Sequence, residues 1–355
     1  MELNKQQQKI IQSNSHHKII LAGAGTGKTA TLTAAAESVK DKRVALITFT
    51  NEAADEIRQR LSFEPAFIGT IHRFAFSIAR WLSIQQGTRL NLMYPGQINT
   101  VVDYLMDGME FSHNEIIDCS KYLNNKRSYL LENPHPPYYY NKVDEDYITY
   151  KRKTNSYDIL DTPLYLLEKL KYNSIILNFD YLFVDEGQDL SPDQYELILK
   201  LPITNKLIIG DPKQSIYIFR GADGQVFEKF KQQGYDFFTL DTNYRSCQEI
   251  LDYAESGLIA AKGNGGTIYK RCGDLLEKHP QILCRSNQDV QAIQQYYDKV
   301  TTIHAAKGLE YPYVLIVSFE EDTDEEKNIM YVAKTRAEEG LGIFSLQTVI
   351  NNLKK

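Results

Sequence analysis

The run Ile19-Ile20-Leu21-Ala22-Gly23-Ala24-Gly25-Thr26-Gly27-Lys28-Thr29 joins a short apolar stretch to three alternate glycines, and the helix-forming Leu32-Thr33-Ala34-Ala35-Ala36 follows. Few folds accept that order. Alternate glycines let the chain curl so that successive N–H groups point inward, and a helix starting near Lys28 adds its positive end to the same concavity. The pattern G-x-x-x-x-G-K-[ST] is met with Ala22 in place of its first glycine, so Ala22, Gly23, Ala24, Gly25, Thr26, Gly27, Lys28 and Thr29 read as a phosphate-binding loop. In such a loop Lys28 reaches the β- and γ-phosphates and the Thr29 hydroxyl ligates Mg²⁺. The plainer alternative is a tight strand-to-helix turn that binds nothing.

A chain of 355 residues, 43% hydrophobic, is too long for one small core and suits two α/β domains with an insertion. No run reaches the roughly 18 apolar residues needed to cross a bilayer, and Met1-Glu2-Leu3-Asn4-Lys5-Gln6 lacks the apolar core of a signal peptide. A soluble, cytoplasmic protein is expected, with no membrane partner. Cys119, Cys247, Cys272 and Cys284 form no C-x-x-C pair, so neither zinc nor a disulfide framework is indicated. A formal net charge of −6 disfavours coating nucleic acid by bulk positive charge; any contact must be built locally.

Tyr181-Leu182-Phe183-Val184-Asp185-Glu186 reads as a central strand with two carboxylates at its exit. Beside a phosphate loop, Asp185 can hold the Mg²⁺ shell and Glu186 can orient or deprotonate an attacking water. Lys206 to Gln214 is a further strand with a polar exit, where Gln214 can sense a γ-phosphate; Tyr217, Phe219 and Arg220 follow at once. Gln7, within Gln6-Gln7-Gln8, offers a donor and acceptors that suit an adenine edge, although the same glutamines also suit a solvated helix start. Arg43 to Thr50 is a second strand, with Asn51 expected to cap the next helix, and Phe67 to Phe74 repeats the strand, turn and helix form. Phe49, Thr50, Thr70, His72 and Arg73 thus make a strip at strand carboxyl ends that suits a nucleic-acid strand, or ordinary capping and packing. From Leu82 to Leu164, helical stretches broken by proline and asparagine indicate an inserted helical subdomain. Its clustered cations and tyrosines can stack bases and pair phosphates, or form a solvated basic face over a tyrosine-rich core.

With these blocks in order, the chain resembles the superfamily 1 DNA helicases of the UvrD/Rep type. Leu3-Asn4-x-x-Gln7 is similar to their adenine-reading motif, which favours Gln7 over its neighbours. Ala22 to Thr29 resembles their phosphate loop, whose first position is often Ala. Thr48 to Ala54 and Gly69-Thr70-Ile71-His72 resemble two DNA-contacting motifs. Val184 to Asp189 and Gly210 to Tyr217 resemble the Mg²⁺/water and coupling motifs. Further on, Asn243-Tyr244-Arg245-Ser246 is similar to the motif in which Tyr stacks on adenine and Arg acts on the γ-phosphate. Thr302-Ile303-His304-Ala305-Ala306-Lys307-Gly308-Leu309-Glu310 resembles the one whose Glu binds the ribose, and Tyr331 to Ala337 the one carrying a second arginine finger, Arg336.

The resemblance implies an α/β P-loop NTPase with two RecA-like domains: 1–82 and 165–239, then 240–355, with a helical insertion over 83–164. It implies an ATP- and Mg²⁺-dependent DNA helicase translocating 3′ to 5′. It places Tyr217, Phe219, Arg220, Thr302 and His304 with the strip above on single-stranded or partly duplex DNA. Three departures stand out: Phe219 replaces a common Trp, Ala30 replaces a common Arg on the adenine, and Ser246 to Thr301 is too short for the large accessory domain of such proteins. No fused tail domain is expected after Arg336. A second reading is therefore an ATP-switched translocase subunit of a repair, replication or defence complex that needs a protein partner to unwind. A small-molecule P-loop kinase leaves the late arginine motifs unexplained.

Overall fold

A computed structural model describes residues 3–85, 87, 91–93, 95–106, 112–124, 136–172, 175–217 and 222–354. Phe219 and Arg220, like the cations at Lys126 and Arg127, lie outside the described residues.

The first sheet is built from β1 (His17–Ala22), β2 (Val44–Thr48), β3 (Phe67–Thr70), β6 (Tyr181–Val184), β7 (Asn205–Gly210) and β8 (Asp236–Leu240), in the order β3-β2-β6-β7-β1-β8. Every pairing is parallel. That explains the near-continuous apolar runs of β2 and β7: a strand covered by helices on both faces has no polar side to alternate with. Ile19, Ile47, Val184 and Ile208 meet one layer of helices, while Ile20, Leu46, Phe183 and Ile209 meet the other. All six carboxyl ends then lie along one edge, where ligands bind in this architecture.

At that edge Thr50, not Asn51, caps the Asn51–Arg60 helix, its hydroxyl accepting from the Ala53 N–H at 3.1 Å. A side-chain oxygen one residue outside the helix reaches the N3 amide, so the cap falls one place earlier than expected.

Between the Ile71–Gln85 and Thr162–Tyr172 helices the chain leaves through β4 (Asn91–Met93) and returns through β5 (Ser156–Asp158), which pair with each other in parallel. Beyond that neck, helices Pro95–Leu105, His113–Asn124 and Tyr139–Thr154 carry a core of their own, including Met93, Val102, Cys119, Tyr122, Tyr140 and Tyr147. The insertion's tyrosines therefore divide. Those three are packing residues, whereas Tyr104 and Tyr138 are exposed.

After the short pair β9 (Thr242–Asn243) and β10 (Ile259–Ala260), a second sheet forms from β11 (Thr267–Ile268), β12 (Gln281–Cys284), β13 (Val300–Thr302), β14 (Tyr311–Val317) and β15 (Ala337–Phe344). Its order is β11-β15-β14-β12-β13, again all parallel. The four cysteines are buried and unbridged, and burial pushes the Cys119 and Cys284 thiols up to about 12, which keeps them protonated. Among the described residues no helix is long and apolar enough to cross a membrane.

Candidate functional site

β1 ends at Ala22 and the helix Lys28–Glu37 begins after five intervening residues, with Gly25 and Gly27 at φ 66° and 81°. Both lie in the left-handed region where a side chain is strained. Thr26 closes the turn on the Gly23 carbonyl at 2.9 Å, and the Lys28 ammonium rests 3.3 Å from the Ala22 carbonyl.

A cavity of about 840 Å³ opens here, and both sheets contribute to its wall. From the first come Gly25, Gly27, Lys28, Thr29, Asp185, Glu186 and Gln214; from the second come Tyr244, Arg245, Glu310 and Arg336. Ala22, Gly23, Ala24 and Thr26 complete the loop behind the wall. Gln7 is buried beside it: its amide donates to Thr31 Oγ1 at 3.1 Å, its oxygen accepts from the Asn4 N–H at 2.9 Å, and a Cβ on Gly27 would meet its nitrogen at 3.0 Å. One N–H and one lone pair of that amide stay available for a base. Ala53, Glu56 and Arg60, on one stripe of the Asn51–Arg60 helix, also line the cavity, as do Lys262 and Glu338. The i, i+3, i+7 spacing of the first three marks a common helix face but not what that face looks onto.

The two carboxylates titrate apart. Burial pushes Asp185 up to about 7, helped by the neighbouring Glu186 and opposed by Lys28. Burial also raises Glu186, but Lys28, Lys307, a 2.7 Å hydrogen bond from Gln188 and Arg336 outweigh it and hold Glu186 below its ordinary value. Glu186 sits at φ 50°, a conformation uncommon outside glycine, which it shares with Asn155, Glu255 and His279. Hydroxyl and carboxylate, Thr29 and Asp185, are hard oxygen donors that suit Mg²⁺ completed by phosphate oxygens and water. Lined by Lys28, Lys262 and three arginines, Arg60, Arg245 and Arg336, the cavity suits a polyphosphate.

Gln214 is buried and its amide donates to Asp211 at 2.8 Å. Arg245 pairs with Glu310 at 2.7 Å. Arg336 is fully buried, donating to the carbonyls of Val332 at 3.0 Å and Leu309 at 3.1 Å; burial and Arg245 both lower its pKa. A guanidinium keeps its charge even so. The Tyr244 hydroxyl accepts from the Asn4 amide at 2.8 Å.

Along the carboxyl edges runs a second group. Phe49 stacks on Tyr217 with ring centroids 5.0 Å apart and 19° between planes, His304 lies 6.1 Å from Tyr217, and the Lys307 ammonium sits 4.6 Å over the same ring. The hydroxyls of Thr50, Thr70 and Thr302 accept from the amides of Ala53, Arg73 and Ala305, so the first two sit at helix starts and the third closes the turn after β13. His72 is held below its ordinary pKa by burial, against the pull of Asp158, and its carbonyl accepts from Thr162 at 3.2 Å.

Two parallel sheets, a phosphate loop on one and arginines from the other, define a P-loop NTPase with two RecA-like domains and a mostly helical insertion in the first. The chain belongs to the UvrD/REP helicase family: the model of the UvrD/REP helicase N-terminal domain matches residues 3–234. A model of the viral superfamily 1 RNA helicase core domain matches residues 166–345. Among similar proteins, a probable DNA helicase II homolog of Mycoplasma capricolum is 30% identical over 72% of this chain and 40% of its own length. A probable DNA helicase of Mycoplasma pneumoniae is 27% identical over 97% of this chain and 83% of its own. The ATP-dependent DNA helicase PcrA of Staphylococcus aureus is 29% identical over 75% and 43%. The match thus spans about two fifths of the first and third of these relatives.

Proposed function

We propose that the chain is an ATP- and Mg²⁺-driven motor that translocates 3′ to 5′ on single-stranded DNA and separates strands. One observation carries the reading: a single cavity gathers Lys28, Thr29, Asp185, Glu186 and Gln214 from the first sheet with Tyr244, Arg245, Glu310 and Arg336 from the second. Thr29 and Asp185 hold the Mg²⁺, which when bound neutralises phosphate charge. Lys28 and the loop amides grip the β- and γ-phosphates, Glu186 orients and deprotonates the attacking water, and Arg245 and Arg336 stabilise charge on the transferred group. Gln7 and Tyr244 hold the adenine and Glu310 the ribose. Hydrolysis then alters how the two lobes, divided near residues 82, 165 and 239, meet across the strip from Phe49 to His304, where bases stack.

A second reading is favoured by the segment from Ser246 to Thr301, which is used up by short elements of the second lobe from the Gln248–Tyr253 helix to β13. On this reading the chain tracks a strand but unwinds only with a protein partner. Steady-state ATP hydrolysis with and without single-stranded DNA or RNA, for wild type and Lys28→Ala, tests the motor. Strand displacement from 3′- and 5′-tailed duplexes tests polarity and separates the readings. Hydrolysis indifferent to nucleic acid would overturn both.

A further inference from the structure

The phosphate loop raises a polar problem on its outer side. When its N–H groups turn toward an anion, its carbonyls turn away from it, and any that are buried need donors there. Ala24 is 1% exposed, and the donor it finds comes from outside the first sheet: the amide nitrogen of Asn243 in β9, 2.6 Å from the Ala24 oxygen. The next carbonyl, Gly25, accepts from the Tyr244 N–H at 2.8 Å.

Asn243 is itself fully buried, and both ends of its side chain are used. Its oxygen accepts from the N–H groups of Arg245 and Ser246, each at 2.8 Å, which shapes the turn carrying Arg245. The far end of that turn is tied to the second sheet, where the Ser246 hydroxyl donates to the Ala337 carbonyl at 2.6 Å. Contact is close enough to constrain the loop as well. A Cβ on Gly25 would lie 2.6 Å from the Asn243 amide nitrogen and 2.7 Å from Arg245 Cβ. On the same side Tyr331 packs against Ala24.

We propose that Asn243 is a positioning residue for hydrolysis, a two-ended clasp that fixes the Arg245 turn to the Ala24 carbonyl so that phosphate loop and guanidinium are set as one unit. Only an amide does this at that spot. Aspartate keeps the acceptor but turns a second oxygen on the Ala24 carbonyl; serine still accepts from the following N–H groups yet is too short to reach Ala24. The proposal rests on the reading that Arg245 acts on the terminal phosphate.

The test is a double-mutant cycle on DNA-stimulated ATP hydrolysis, with Asn243→Ser, Arg245→Ala and the double variant, and Asn243→Asp as a second probe of the clasp. Expected is a fall in kcat of about tenfold for Asn243→Ser with KM for ATP changed less than about threefold, the pattern of an interaction made in the transition state. In the Arg245→Ala background the same substitution should change kcat by less than about twofold, because its effect runs through Arg245. An equal loss in both backgrounds, or a full kcat for Asn243→Ser beside an impaired Arg245→Ala, overturns the clasp while leaving the Arg245 reading intact. Full activity of Arg245→Ala would instead sink that reading and the proposal with it. Failure of both Asn243 variants to fold makes the residue purely structural and overturns it too.

Discussion

Lys307 carries its ammonium across from the second lobe to within 2.6 Å of the Asp189 carboxylate in the first. It also donates to the Gln214 carbonyl at 3.1 Å and covers the Tyr217 ring. One buried cation thus touches the turn after β6, the turn after β7 that carries Gln214, and the aromatic pair. Removing one member of a buried pair leaves the other charge uncompensated, at a cost of about 3–5 kcal/mol. Lys307→Met should lower the denaturation midpoint accordingly, and adding Asp189→Asn should recover part of the loss. A change below about 1 kcal/mol would show that the pair does not hold the lobes.

The raised Asp185 gives the site a pH signature. Its folded value, about 7, exceeds the roughly 3.9 of an unfolded aspartate. Its contribution to folding is therefore full below the unfolded value and is lost as pH rises through the folded one. On the proposal that Asp185 holds Mg²⁺, metal-assisted nucleotide binding needs its ionised form, so ADP affinity in the presence of Mg²⁺ should fall as pH drops below about 7. Titration calorimetry across that range checks it, and Asp185→Asn should flatten the profile. A wild-type affinity that ignores pH would refute the assignment.

Phe49 and Tyr217 stack on each other in this structure. Such a pair contributes about 0.5–1.5 kcal/mol beyond its buried area, so Phe49→Ala should weaken folding only modestly. Base stacking is worth about 1–3 kcal/mol per base, so the same variant should raise the DNA concentration for half-maximal stimulation by about fivefold or more. Basal hydrolysis should not change. An unaltered DNA requirement would remove Phe49 from the interface.

Lys151 locks the neck of the insertion, pairing with Asp158 at 2.9 Å and Asp161 at 2.8 Å, while the Tyr147 hydroxyl also donates to Asp158. Lys151→Met leaves two carboxylates facing each other. Amide exchange should accelerate across β4 and β5 by about tenfold or more, while the first sheet keeps its protection. Exchange that speeds up equally in both would mean that the insertion and the sheet open together.

How much of this could be read from the chain depends on the physics of each part. The phosphate loop, Asp185 and Glu186 were legible because strand, turn and helix are local and their chemistry is carried by consecutive residues. That Arg245, Glu310 and Arg336 enter the same cavity rests on the pairing of two separate sheets, and motif resemblance supplied what propensity could not. Nothing in the sequence around Arg60 and Lys262 distinguishes a cavity wall from a solvated face. The Thr50 cap and the core tyrosines of the insertion turned on one-residue register and on burial, both set by tertiary packing.

The pairing of β4 with β5 brings the insertion's two chain ends side by side. A unit joined that way is modular, because neighbouring ends let a segment be exchanged without redrawing the connections around it. This unit can therefore be lengthened, trimmed or replaced without disturbing the strand order that holds Lys28, Asp185 and Gln214.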